Sequence, residues 1–244
     1  MEWYGGGRGY HFALGQELVR HPIYREVVKQ SLQRGGFLIV DNGAAEEDTV
    51  SFELIVEAAN EVGADEIILP DVLRNADATI KATCTQRYLD WVPPRRRMIV
   101  PQGDSWDEWE YCLRTIDHYL RGKYAAIGLP KHLERLPGGR SYALTALIRR
   151  AFQHTHHIHL LGIWGDAFRE IKVAKDTYSG VRGIDSGLAA AAAHKGLRVI
   201  RGGARASLDW EMQITERDMS VIHLTMVNTN TIDAWCSRDI TWLP

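Results

Sequence analysis

Seven short apolar runs recur along the chain, at residues 10–14, 37–40, 66–69, 98–100, 124–127, 158–161 and 182–184. Each is too short for a helix and breaks abruptly into a polar or glycine-containing loop, the mark of strands buried on both faces. Asp41 follows the second run, Pro70-Asp71 the third, Pro101-Gln102-Gly103 the fourth, Gly128-Leu129 the fifth, Gly162 the sixth and Asp185 the seventh. Between the runs, residues 22–33, 49–62, 76–89, 106–120 and 141–153 carry helical periodicity, with Ile55, Ala58, Ala59 and Val62 on one buried face and Trp109, Leu113 and Ile116 on another. Strand ends about thirty residues apart leave room for one strand and one crossover helix. The series predicts an α/β fold, a single compact (β/α)8 TIM barrel over residues 1–244, with strand C-termini converging on one face. The eighth strand falls either at 197–200 or at 220–226, and the alanine run from Ala189 to Ala193 is a strong helix former.

On that frame Asp41, Asp71, Gln102 and Asp185 meet in one cleft although they lie far apart in sequence. Asp48 and Asp104 read instead as helix N-caps. Pro93 and Pro94 exclude helix before the fourth strand, and put Arg95 and Arg96 on a solvated face opposite the chemistry.

Composition narrows the class. With 244 residues, 45% hydrophobic and 25% charged, the chain fits one domain with a full core. A formal net charge of -2 decides nothing about nucleic acid, because a local basic strip can hide in a neutral total. The stretch RVIRGGARA, with Arg198, Arg201 and Arg205, is the best local candidate for backbone-phosphate contacts. Gly5-Gly6-Gly7-Arg8-Gly9 lacks the Lys-Ser/Thr of a P-loop. Cys84, Cys112 and Cys236 stand alone, without CxxC or Cys/His spacing, as ordinary thiols of a reducing compartment. His154, His156, His157 and His159 form the one dense histidine run; His157 and His159 alternate into a strand, so at most one face points inward, and no structural zinc is expected. No apolar stretch approaches the roughly twenty residues of a membrane span. The N-terminal residues do not match a secretory signal. Location in the cytoplasm is expected, that of the host if the chain is phage-encoded, with no cofactor.

VDNGAAE, ILPDVL, VPQG, IGLP, LLGIWG and GIDSGLA, taken in order, resemble a reduced version of the motifs of the tRNA-guanine transglycosylase superfamily. The resemblance covers residues 37–193 and lies in order and spacing more than in identity. It implies that Asp185 is the nucleophilic aspartate and Asp41 the general acid/base. Asp71 then reads the edge of the heterocycle, with Gln102 and Gly103, Gly128 and Leu129, and Gly162 completing the base pocket. Asn42, also assigned to that pocket, stands where the family has serine. The family's zinc site of three cysteines and a histidine is absent, and the chain is far shorter than the tRNA enzymes. The compact pattern more closely resembles the phage branch that places 7-deazaguanine bases such as preQ0 into DNA. The resemblance therefore implies a pentosyltransferase whose partners are DNA and a free 7-deazaguanine. Reaching C1′ in a duplex requires flipping or local strand opening. Rival readings are the same exchange on tRNA, hydrolysis of a nucleoside on the same barrel, and a nucleic-acid-binding subunit that serves a partner.

Overall fold

The computed structural model describes residues 10–33, 36–44, 50–149, 157–163, 167–177 and 181–185, with 224, 227, 228, 231 and 232. The eighth-strand alternative at 197–200, the alanine run, Asp48, His154, His156, Cys236, the N-terminal glycines and Arg198, Arg201 and Arg205 lie outside the described residues; of the other alternative, 220–226, only Leu224 is described, and it is helical.

Seven strands are described: β1 Tyr10–Leu14, β2 Phe37–Asp41, β3 Glu66–Ile68, β4 Arg97–Ile99, β5 Ala126–Leu129, β6 His157–Leu160 and β7 Val181–Ile184. All pair in parallel and in sequence order, β1 beside β2 through to β6 beside β7. Sequential parallel order forces every connection over the same face of the sheet, so the helices form one outer layer. Those described are α1 Gly15–Arg20, α2 Pro22–Leu32, α3 Phe52–Val62, α4 Ala76–Thr83, α5 Gln86–Trp91, α6 Trp106–Leu120, α7 Gly139–Arg149 and α8 Ala167–Thr177.

Alternation along the strands divides the core in two. Leu38, Val40, Ile67, Ile99, Ile127, Leu129, Ile158 and Leu160 face the helices and pack on residues such as Ile55, Ala59, Trp109, Leu113 and Leu144. Ile39, Ile68, Met98, Val100 and Ala126, with Phe12, Phe37 and Leu161, form a second cluster on the concave face. The sheet curls strongly enough for that face to meet itself. Arg182 on β7 reaches Glu66 on β3 through two hydrogen bonds, Nη1 to Oε1 at 2.7 Å and Nη2 to Oε2 at 2.5 Å. Likewise Phe12 on β1 stacks on His159 on β6, ring centroids 6.1 Å apart.

The expected helix faces are found: Ile55, Ala58, Ala59 and Val62 on α3 and Trp109, Leu113 and Ile116 on α6 are buried. Four expectations need correction. The single helix over 76–89 is two helices, because the chain turns at Cys84-Thr85 before α5 begins. Pro93 and Pro94 do not exclude helical structure, since a proline is tolerated in a first turn where no N–H is required, and Pro94–Arg96 is a 3-10 turn. Arg96 is half-buried, its Nη1 donating to Asn60 Oδ1 at 2.7 Å, so it is not simply solvated. The N-cap of α6 is Ser105, whose Oγ accepts from Glu108 N at 3.2 Å, and Asp104 instead pairs with Arg74. Two helices, α1 and α8, are additional to those expected, although α8 has helical apolar spacing in Ala167, Ile171 and Ala174. Among the described residues no helix is long and apolar enough to cross a membrane.

Candidate active site

The strand C-termini carry two hydrogen-bonded groups of side chains. The first is built on β2, β3 and β4. Asn42, one residue past β2, donates through Nδ2 to Leu69 O at 2.8 Å and to Asp71 Oδ1 at 2.6 Å. Its Oδ1 accepts from Ala44 N at 2.7 Å, an Asx-turn that starts the following loop. Gln102 is fully buried and donates through Nε2 to Asp71 Oδ2 at 2.5 Å, while its Oε1 accepts from Arg74 N at 3.0 Å. Because Arg74 N is a main-chain donor, only the amide oxygen can face it, and Nε2 is thereby aimed at Asp71. Arg74 holds this position with φ 60, a left-handed conformation costing about 1–2 kcal/mol for a side-chain-bearing residue. Its side chain pairs with Asp104, and that cation holds the Asp104 carboxyl below its ordinary value.

Asp71 thus receives one donor on each oxygen. An ionised carboxylate is an acceptor only, and Gln102 carries a second N–H beside the one it gives to Asp71. A planar heterocycle with adjacent N–H groups beside a carbonyl fits that set. Asp41 closes β2, half-buried, its Oδ1 accepting from Asn42 N at 2.8 Å. Behind it Gly43 has φ +76, and a Cβ there would lie 2.5 Å from Oε1 of buried Gln16. Only glycine lets the chain leave Asp41 along this path.

The second group lies at β6 and β7. Asp185 Oδ1 accepts from Gly162 N at 3.0 Å. Its own N donates to Leu160 O at 3.1 Å and its O accepts from Ile163 N at 2.9 Å, so the residue continues the ladder one step past β7. His159 lies below it on the concave face, 1% exposed, with Nε2 3.7 Å from Asp185 Oδ1. Gly128 faces the same interior: a Cβ would meet Leu161 Cδ1 at 2.8 Å and Val100 Cγ2 at 2.9 Å. Gly128→Ala is expected to cost about 1–3 kcal/mol by overpacking, read as a lowered thermal midpoint.

Of the residues singled out in the sequence, Asp41, Asn42, Asp71 and Gln102 form one bonded set, and Gly162 and Asp185 another. Gly103 packs against the start of α6, and its carbonyl takes the His132 Nε2 hydrogen bond at 2.9 Å. The Leu129 side chain lies in the helix-facing core, because strand alternation turns it away from Gly128, so only its main chain reaches the rim. Sequence reasoning missed Arg74, His132, Arg140 and Glu170, and read His159 only as a member of the histidine run. Arg140 had a signal, since a cation in the first turn of α7 opposes the helix dipole and needs another reason to be there. Among the described residues no group of three or more His, Cys, Asp or Glu side chains is placed to hold a metal ion.

His132 is pushed below its ordinary imidazole value by burial, with the Gly103 carbonyl opposing. A histidine kept neutral in the fold binds protons less readily than in the unfolded chain. Its stabilisation is therefore complete above the unfolded value of about 6.5 and falls as pH drops towards the lowered folded value. The thermal midpoint should decline from pH 7 to pH 5, and His132→Gln should decline less.

No protein-family model matches the chain, and the comparison with curated proteins gives no match.

Proposed function

We propose that the chain is a base-exchange transglycosylase that replaces guanine in DNA with a 7-deazaguanine of the preQ0 type. The observation that carries this reading is the Asp71 carboxylate set between Asn42 and Gln102, on the same rim as Asp41 and Asp185. An ionised carboxylate suits the N–H donors on the pairing edge of guanine, and the second Gln102 N–H suits the neighbouring carbonyl. We also propose that the curled sheet belongs to a closed (β/α)8 barrel, with the missing strand between β7 and β1. Sequential parallel order and the Glu66–Arg182 and Phe12–His159 contacts across the concave face support that closure.

The chemistry runs as two displacements. In the first, an Asp185 carboxylate oxygen bonds to C1′ as the C1′–N9 bond breaks, and Asp41 gives a proton to the departing guanine. In the second, the incoming 7-deazaguanine gives its ring N–H proton to Asp41 while that nitrogen bonds to C1′ and the Asp185–C1′ bond breaks. Two inversions retain configuration, as in a retaining glycosidase. The Gly162 N–H on Asp185 Oδ1 leaves Oδ2 for attack.

The test is incubation of the protein with guanine-containing DNA and excess preQ0, digestion to nucleosides and mass analysis. A deoxynucleoside carrying the deazapurine supports the reading. Modification confined to tRNA moves the substrate to tRNA, and released guanine without incorporation makes the chain a hydrolase.

A further inference from the structure

We propose that Arg140 is the positioning residue for Asp185, acting through the peptide between Leu161 and Gly162; the role rests on reading Asp185 as the nucleophile. Arg140 is 2% exposed, although its guanidinium stands in the first turn of a helix whose dipole opposes it. Burial also pushes its pKa down. Two unfavourable effects are accepted for what the guanidinium holds. Nη2 donates to Leu161 O and, at 3.3 Å, to Gly162 O. Nη1 lies 3.0 Å from Glu170 Oε1, and the other Glu170 oxygen accepts from Lys131 Nζ at 2.9 Å.

Leu161 C=O and Gly162 N–H are the two ends of one rigid, trans peptide plane. Its carbonyl is gripped by Arg140 and its N–H donates to Asp185 Oδ1 at 3.0 Å. A cation on the carbonyl fixes the direction of the N–H and, by polarising the amide, strengthens it as a donor. The grip matters because Gly162, at φ 64, removes the steric barrier that would otherwise keep this peptide from turning over. With the plane reversed, a carbonyl oxygen would face the Asp185 carboxylate. Glu170 keeps the guanidinium aimed at the carbonyls, and Lys131 keeps Glu170 in place. The groups that read the heterocycle, Asn42, Asp71 and Gln102, follow β2, β3 and β4, and Asn42 and Gln102 both hydrogen-bond to Asp71. Binding of the base and reaction at Asp185 are therefore separable.

Arg140→Met and Arg140→Lys are compared with the wild type for exchange kinetics and for the amide signal of Gly162 in a 15N-correlated NMR spectrum. Arg140→Met is expected to lower kcat about 10²–10³-fold, the scale of losing one preorganised donor, with KM for the free base within about threefold. Arg140→Lys, which keeps the charge and most of the volume, is expected to lose about tenfold in kcat. In both, the Gly162 amide should move from a downfield position towards an ordinary one. Unchanged kcat in Arg140→Lys, a loss confined to KM, or an unmoved Gly162 signal overturns the proposal. A Gly162 signal that moves in the variants while the wild type shows no exchange on any nucleic acid overturns the transglycosylase reading and leaves Arg140 as holder of the Asp185 carboxylate.

Discussion

Asp185→Asn is expected to lower base exchange by about 10⁴-fold or more while leaving the fold intact. Asparagine has the same shape, and its carbonyl oxygen can still accept from Gly162 N, so the continuation of the β6–β7 ladder through Leu160 O and Ile163 N survives. What is lost is the carboxylate proposed to bond to C1′, for which an amide is no substitute. KM for the free base should hold, because Asn42, Asp71 and Gln102 are bonded to one another on other strands. Steady-state exchange with a thermal melt on the same sample separates this outcome from a folding defect.

The largest effect on stability is expected at the interior pair. Glu66 is 3% and Arg182 12% exposed, and they join β3 to β7 across the concave face. Phe37 packs against the guanidinium at 4.8 Å, which leaves no room for water on that side. Removing one partner strands a buried charge, and Glu66→Ala is expected to cost about 3–5 kcal/mol. At about 2–4 °C per kcal/mol for a domain of this size, the midpoint should fall by roughly 10 °C. The double replacement Glu66→Leu with Arg182→Met removes both charges and should recover much of that loss, because buried pairs are often no more stabilising than well-packed apolar residues. Chemical and thermal denaturation of the single and double variants measures the coupling directly.

These residues also mark the limit of what the sequence could tell. Strand positions were legible because apolar runs such as Phe37–Val40 are too short for a helix and must be buried, and the polar residue after each run was legible as the end of its strand. Asp41, Asp71, Gln102 and Asp185 each stand at or just past a strand C-terminus, the first three in one bonded set and Asp185 bonded to Gly162. The pairing of Glu66 with Arg182 was not legible, since the two are 116 positions apart and each looks like an ordinary charged residue at a strand start. Arg74 and Arg140 were missed for a related reason. Both act on the site through main-chain groups, Arg74 by its own N–H on Gln102 and Arg140 on Leu161 O, and such contacts leave no signature in side-chain spacing. For Leu129 the side-chain direction was not legible from the two-residue motif, because alternation sends its members to opposite faces.

The central claim is that Asp185 becomes covalently joined to C1′ of the nucleic acid. The most direct test is to mix the protein with a guanine-containing DNA oligonucleotide without free base, denature at once, digest with protease and nuclease, and sequence the modified peptide by mass spectrometry. The account predicts a deoxyribose-linked adduct on Asp185 that disappears when preQ0 is added before denaturation. An adduct on Asp41 or another residue, or exchange that proceeds with no adduct trapped on Asp185, would contradict it.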